Sequence, residues 1–220
     1  MDTLKIGTIL CKVCYENCYV FFDNNVCCVI DPGSYPENII KAINNCQGTT
    51  KPEVKILLTH GHFDHIGAID GIMKAFDNVE VFIHKDDEEF LYSPDINFSS
   101  EIGKSIDLSE YKTKVHLLED GSEVLIGSRV IQVISVPGHT PGGVFFYLSK
   151  DKVVFSGDSL FKGSIGRTDL PKGDHSLLIS SIFKAFLILP DECTVYPGHE
   201  ASTSIIKEKS TNPFLKRKNH

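Results

Sequence analysis

The chain has 220 residues, 41% of them hydrophobic, with a formal net charge of −7 and seven cysteines. That length predicts one globular domain over residues 1–220 with a substantial core. The acidic balance argues against a dedicated nucleic-acid binder, because neutralising phosphates needs a basic surface. No apolar run is long enough to span a bilayer, and Met1-Asp2-Thr3-Leu4-Lys5 lacks the pattern of a secretory signal. A cytoplasmic protein with reduced thiols, and no membrane or nucleic-acid partner, is the expectation.

In chain order, residues 4–10, 16–22 and 26–30 read as consecutive strands, with Asp23-Asn24-Asn25 as a tight turn and Asp31-Pro32-Gly33-Ser34 closing the third. Pro36–Asn45 reads as a helix, with Ile39, Ile40 and Ile43 at helical spacing. A strand over 54–58 follows, then a helix over 66–76, a strand over 80–83 and a short charged helix over 85–91. Residues 92–110 show little periodicity, and a loop of that length in a compact domain serves as a lid or binding element. Strands are predicted over 114–118, 123–126, 129–136, 143–148 and 152–155. A helix over 176–189 is stopped by Pro190, and 194–196 is a last strand. In each half strands lead and a helix follows, which suggests two sheets packed face to face with helices outside.

Several residues receive structural readings. Cys11, Cys14 and Cys18 have no fourth cysteine at a recognisable spacing, so they read as small buried apolar residues rather than ligands. Cys27 and Cys28 are adjacent in a strand and face opposite sides. His84 and His116 belong to strands, and His175 opens a helix for which Asp174 is the better N-cap. Lys207, Lys209, Lys216, Arg217 and Lys218 read as a solvated basic tail that ends in His220.

The stretch Thr59-His60-Gly61-His62-Phe63-Asp64-His65 carries the chemistry. Imidazole nitrogen and carboxylate oxygen suit zinc, iron or manganese. His60 and His62 share one side of an extended segment, while Asp64 and His65 enter the next turn. The spacing therefore suits two metals side by side. Three later segments have one form, an apolar strand and then a small-residue turn bearing an ionisable group: Pro137-Gly138-His139, Ser156-Gly157-Asp158 and Pro197-Gly198-His199. Loops at strand ends are where catalytic groups tend to sit.

His60-x-His62-x-Asp64-His65 followed by His139, Asp158 and His199 resembles the metallo-β-lactamase superfamily, from about Val20 to the C-terminus. Ser156-Gly157-Asp158-Ser159-Leu160-Phe161, Gly166-Arg167-Thr168-Asp169 and Asn212-Pro213-Phe214-Leu215 resemble its glyoxalase II-like (hydroxyacylglutathione hydrolase-like) branch, in a compact form lacking the C-terminal helical region. The resemblance implies an α/β four-layer αβ/βα sandwich of two mixed sheets with helices outside. It implies two divalent metal ions, zinc above all, with iron or manganese as alternatives. His60, His62 and His139 would hold one ion, Asp64, His65 and His199 the other, and Asp158 would bridge them. Asp64 and Asp158 would be catalytic. Asp31 would orient a ligating imidazole through its free N–H. Arg167 would contact a substrate carboxylate, or else pair with Asp169 or Asp174.

Two metals about 3.5–4 Å apart can share a water and bring its pKa toward neutrality, making a hydroxide nucleophile. A carbonyl oxygen against one metal stabilises the developing oxyanion. A thiol leaving group, with a pKa near ~8.5, departs without a strong general acid. The expected reaction is hydrolysis of a small-molecule thioester, S-lactoylglutathione or a related glutathione conjugate, by a monomer or weak homo-oligomer. The alternative is a persulfide dioxygenase, with one iron on His60, His139 and Asp158. Many β-lactamases of this superfamily place cysteine where Asp158 stands, which argues against that activity. No added nucleic-acid-binding region or flavodoxin-like domain supports a nuclease or a flavin-coupled reductase.

Overall fold

The computed structural model describes residues 4–45 and 52–216. β1 (Ile6–Cys11), β2 (Glu16–Asp23) and β3 (Val26–Ile30) form an antiparallel meander, its second turn made at Asn24 in the left-handed region (φ 53°). Asparagine tolerates that conformation. After α1 (Pro36–Asn45), β4 (Glu53–Leu57) adds parallel to β3. α2 (Phe63–Ile66) and α3 (Ile69–Ala75) lead to β5 (Val79–His84), which is parallel to β4, and β6 (Val115–Leu118) completes a six-stranded sheet in the order β1–β2–β3–β4–β5–β6. β3, Val-Cys-Cys-Val-Ile, is apolar at every position because it is covered on both faces.

The second sheet is also mixed. β7 (Glu123–Ile126), β8 (Arg129–Ser135), β9 (Val144–Leu148) and β10 (Val153–Gly157) run antiparallel in succession. β11 (Leu160–Phe161) and β12 (Ser164–Ile165) make a small separate hairpin. After α4 (His175–Ile188), β13 (Thr194–Pro197) pairs parallel with β10, and β14 (Thr203–Ser204) edges the sheet before α5 (Ile205–Thr211).

Three apolar layers separate four layers of structure. Between the sheets, Tyr19, Phe21, Ile30 and Leu57 meet Val133, Phe146 and Phe155. The rings of Phe21 and Phe155 stack at 6.1 Å. Emptying a site of that size costs about 3–5 kcal/mol, so Phe155 is a main tie between the sheets. Outside the first sheet, Ile39 and Ile43 of α1 and Ile69 and Ile72 of α3 pack on Val29, Val54 and Ile56. Outside the second, Leu178, Ile182 and Ala185 of α4 pack on Ile134, Phe145 and Val195. Cys27 joins the outer core and Cys28 the inner one, as alternation along a strand requires. The four-layer sandwich of two mixed sheets expected from the sequence is the observed architecture.

Some elements differ from expectation. The helix expected over 66–76 is broken at Gly67–Ala68, where Ala68 N–H donates to Pro32 O at 2.9 Å and a Cβ on Gly67 would lie 2.4 Å from Gly33 O. The chain turns there to pass the loop after β3. The charged helix over 85–91 is a 3-10 helix, capped by His84, whose Nδ1 accepts from Asp86 N–H at 3.3 Å. Residues 92–110 are not an open loop. Asn97 is buried, and its amide donates to Phe90 O and Ile106 O at 2.7 and 3.0 Å. α5 lies where a solvated tail was expected: Lys207 and Lys209 sit on it, and Lys209 pairs with Asp191 at 2.7 Å. Arg217, Lys218 and His220 lie outside the described residues, as does the N-terminal Met1-Asp2-Thr3. His175 opens α4 with Asp174 as its N-cap, accepting from Leu177 N–H at 2.9 Å. No helix among the described residues is long and apolar enough to cross a membrane.

Candidate metal centre

Register brings the strand ends to one edge. Ile30 is level with Leu57 in the first sheet, so Asp31 meets Thr59 just beyond it. Gly157 is level with Pro197 in the second, so Asp158 meets the Gly198-His199 turn. Val144 N–H donates to Thr59 O at 2.9 Å and ties the two edges together. Gly198 is required by this crowding: a Cβ there would lie 2.2 Å from Asp158 Oδ1 and 2.7 Å from His65 Cε1.

All seven residues singled out as ligands converge. The nitrogens of His60, His62 and His139 form one cluster, and those of His65 and His199 form another with an oxygen of Asp64, each within 4.8 Å. The first cluster is pocket one and the second is pocket two. A third grouping of His60, His65 and Asp158 joins them. Asp158 Oδ1 lies 3.4 Å from His65 Nε2, and Oδ2 lies 3.4 Å from His199 Nε2 and 3.8 Å from His139 Nε2. His199 Nε2 is also 3.5 Å from Asp64 Oδ2.

Three of the rings have a partner behind them. His139 Nδ1–H donates to the carbonyl oxygen of Arg167 at 2.7 Å, which leaves Nε2 as a lone pair 3.0 Å from His62 Nδ1. Asp31 accepts from Thr59 N–H at 2.7 Å and from Thr59 Oγ1–H at 2.6 Å. The Thr59 hydroxyl can then accept from His60 Nδ1, 3.2 Å away. Asp31 Oδ2 also lies 3.1 Å from His65 Nδ1, an ion-pair distance without hydrogen-bond alignment. One carboxylate thus bears on an imidazole in each pocket. Asp31 does so from a left-handed backbone (φ 50°) that aspartate tolerates.

The electrostatics of the pockets differ in sign. Burial, with the neighbouring imidazoles, holds His60 well below its usual range and brings His62 down to about 3. Burial lowers His139 too. Burial alone would also depress His65, but the carboxylates of Asp158, Asp31 and Asp64 outweigh it and raise that ring well above the ordinary range. His199 is raised to about 9 by Asp158 and Asp64, against burial. Burial would raise Asp158, yet His65 and His199 hold it well below the usual carboxylate range.

The buried donor set fits metal ions. His60 Nε2, His65 Nε2 and Asp158 Oδ1 are buried and have no hydrogen-bond partner. Stranded donors of this kind are costly unless a ligand completes them. Two imidazole-rich clusters joined by a carboxylate suit zinc or iron. No cysteine belongs to any metal-competent group among the described residues.

The Arg167 side chain pairs with Asp169 through two contacts of 2.8 Å, one of the alternatives the sequence left open, and is largely exposed. Its carbonyl, which orients His139, has no signature in a sequence. Asp87 was also missed. It lies in an apparently solvated Lys-Asp-Asp-Glu-Glu run, yet it is fully buried. The one available signal was Phe90 and Leu91, three and four positions later, which share its buried face.

Residues 11–199 match the family model described as the metallo-beta-lactamase superfamily. The probable metallo-hydrolase YqgX of Bacillus subtilis (strain 168) is 37% identical over 199 residues, covering 90% of this chain and 92% of that protein. The hydroxyacylglutathione hydrolase GloC of Haemophilus influenzae is 34% identical over 204 residues, covering 92% and 94%. Among solved structures, BLEG-1 B3 metallo-beta-lactamase superposes with a TM-score of 0.85 at 37% identity, covering 96% of this chain and 100% of that one. TTHA1623 in a di-iron-bound form gives a TM-score of 0.79 at 36% identity, covering 95% and 100%. ETHE1 from Myxococcus xanthus gives 0.72 at 26% identity, covering 95% and 83%. The strand-end geometry and these similarities agree: the chain belongs to the metallo-beta-lactamase superfamily.

Proposed function

We propose that this metallo-hydrolase cleaves a hydroxyacylglutathione-type thioester, S-lactoylglutathione being the test case, with two divalent ions in the two pockets. Zinc or iron would fill them, iron being the metal of the TTHA1623 structure. His60, His62 and His139 would hold one ion, Asp64, His65 and His199 the second, and Asp158 would reach both. The observation that carries this reading is the pair of clusters meeting at one carboxylate. The similarity to GloC supports the substrate class.

When bound, two such ions lower the pKa of a shared water toward neutrality and polarise a carbonyl. The chain supplies the rest. Asp158 would fix the separation of the pockets, and Asp64, beside His199, would take the proton of the attacking water. Asp31 and the Arg167 carbonyl would keep the rings turned inward. Burial holds His60, His62 and His139 below their usual range, so pocket one does not favour an imidazolium acid near neutral pH. A thiolate, with a pKa near ~8.5, needs none.

The likeness to BLEG-1 favours a β-lactam amide as the second reading, although aspartate rather than cysteine stands at position 158. Purified protein of known metal content should be assayed with S-D-lactoylglutathione, a chromogenic cephalosporin, and glutathione persulfide under oxygen-uptake recording. Loss of thioester absorbance, abolished by His62→Ala and by Asp158→Ala, is the expected result. Cephalosporin opening or oxygen uptake without thioester loss would overturn it.

A further inference from the structure

Asp87 lies in the 3-10 helix after β5, fully buried and outside both pockets. Its Oδ2 accepts from Gly61 N–H at 3.1 Å and from Thr140 Oγ1–H at 2.7 Å, and its Oδ1 accepts from Gly142 N–H at 2.6 Å. Gly61 sits between His60 and His62, and Thr140 directly follows His139. One carboxylate therefore joins two loops whose facing imidazoles, His62 and His139, are 77 residues apart in sequence. The fit is tight: a Cβ on Gly142 would lie 2.8 Å from Asp87 Cβ.

All three donors are neutral. Burial pushes the Asp87 carboxyl up to about 6 even though each donor pulls it down. A buried charge held only by neutral groups is a net cost to folding. Asparagine would remove that cost but would set an amide N–H₂ against the N–H of Gly142 or, turned over, against that of Gly61. The two main chains meet at their outer ends, where Val144 N–H donates to Thr59 O at 2.9 Å, and the carboxylate adds the ties nearer the imidazoles, at Gly61, Thr140 and Gly142.

We propose that Asp87 is a positioning residue for pocket one, fixing the spacing of His60, His62 and His139 by holding Gly61 to Thr140 and Gly142. The inference rests on the metal-binding reading of that pocket and not on which bond the protein cleaves.

The test is cobalt(II) binding to the full chain in a His199→Ala background, so that pocket one alone reports. Affinity is read by competition with a chelator, geometry by the visible ligand-field bands, and folding by circular dichroism and thermal melting. Asp87→Asn is expected to weaken binding about 10–100-fold, as for loss of a residue supporting a ligand. It should also shift the bands while the protein stays folded. Thr140→Val, which removes one donor and leaves the carboxylate in place, should give a smaller loss in the same direction. Ser99→Ala, which removes a hydroxyl that accepts from Ile106 N–H, serves as a control with wild-type binding. Unchanged affinity and bands in both Asp87→Asn and Thr140→Val would overturn the proposal. If Asp87→Asn does not fold, wild-type behaviour of Thr140→Val is enough to overturn it. Failure of the parent chain to bind cobalt would instead sink the pocket itself, and this inference with it.

Discussion

Pocket one and pocket two are built from the same kinds of side chain, yet their neighbours differ. His60, His62 and His139 mostly face one another, and Asp158 comes no closer than 3.8 Å, from His139. His65 and His199 each lie 3.4 Å from Asp158, and Asp31 and Asp64 stand beside them. Burial therefore decides the first set and carboxylates decide the second. Without ions, pocket one is a nest of neutral imidazoles, and pocket two holds protons that an incoming ion would have to displace.

Removing Asp158 should erase this contrast with the largest effect. Asp158→Ala is expected to lower turnover by roughly 10²–10³-fold or more, the scale of losing one preorganised electrostatic partner. It should also bring His199 back toward its ordinary range, which NMR titration of the ring would show. Asp31→Asn comes next. Because Asp31 bears on His60 through Thr59 and on His65 directly, metal affinity should fall about 10–100-fold in both pockets. Chelator competition would measure it, and a loss confined to one pocket would show that only one of the two links matters.

The third prediction sharpens the contrast through pH. His199 is raised in the folded, metal-free protein from an unfolded value of 6.5 to about 9. Its contribution to stability is full below 6.5 and is lost as pH rises through 9. His62 is depressed to about 3, so its contribution is present above 6.5 and is lost as pH falls toward 3. Denaturant midpoints of the metal-free protein should thus decline on both sides. His199→Asn should flatten mainly the alkaline limb, with a smaller change on the acid side through Asp158, and His62→Asn should flatten the acid limb. The smallest effect is expected from Arg167→Ala. The carbonyl that orients His139 survives that change, so metal affinity should stay within about 3-fold, a shift near the size of an exposed ion pair's contribution.

Legibility followed locality. His60, His62, Asp64 and His65 are adjacent in the chain, so their convergence was readable from spacing. His139, Asp158 and His199 were readable because each ends an apolar strand, and family likeness joined them. The strand register that brings Asp158 beside His199 is a long-range fact that no local pattern carries. The carbonyl of Arg167 has no side-chain identity to notice. Asp87 was hidden because a charged run normally marks a solvated face, and only the spacing of Phe90 and Leu91 from it pointed the other way. The break in the helix expected over 66–76 is likewise a long-range effect: Gly33 O crowds Gly67, and Pro32 O accepts from Ala68 N–H, contacts between residues 34 and 36 positions apart.

Stepwise metal titration of the metal-free protein decides between a two-ion and a one-ion centre. With zinc at pH 7.5, calorimetry in buffers of different ionisation enthalpy separates binding heat from proton release. The account predicts two ions per chain, one entering with little proton release and one displacing the protons of His65 and His199, with thioester turnover appearing as the second site fills. A single ion per chain that already gives full turnover, or two ions with equal proton release, would contradict it.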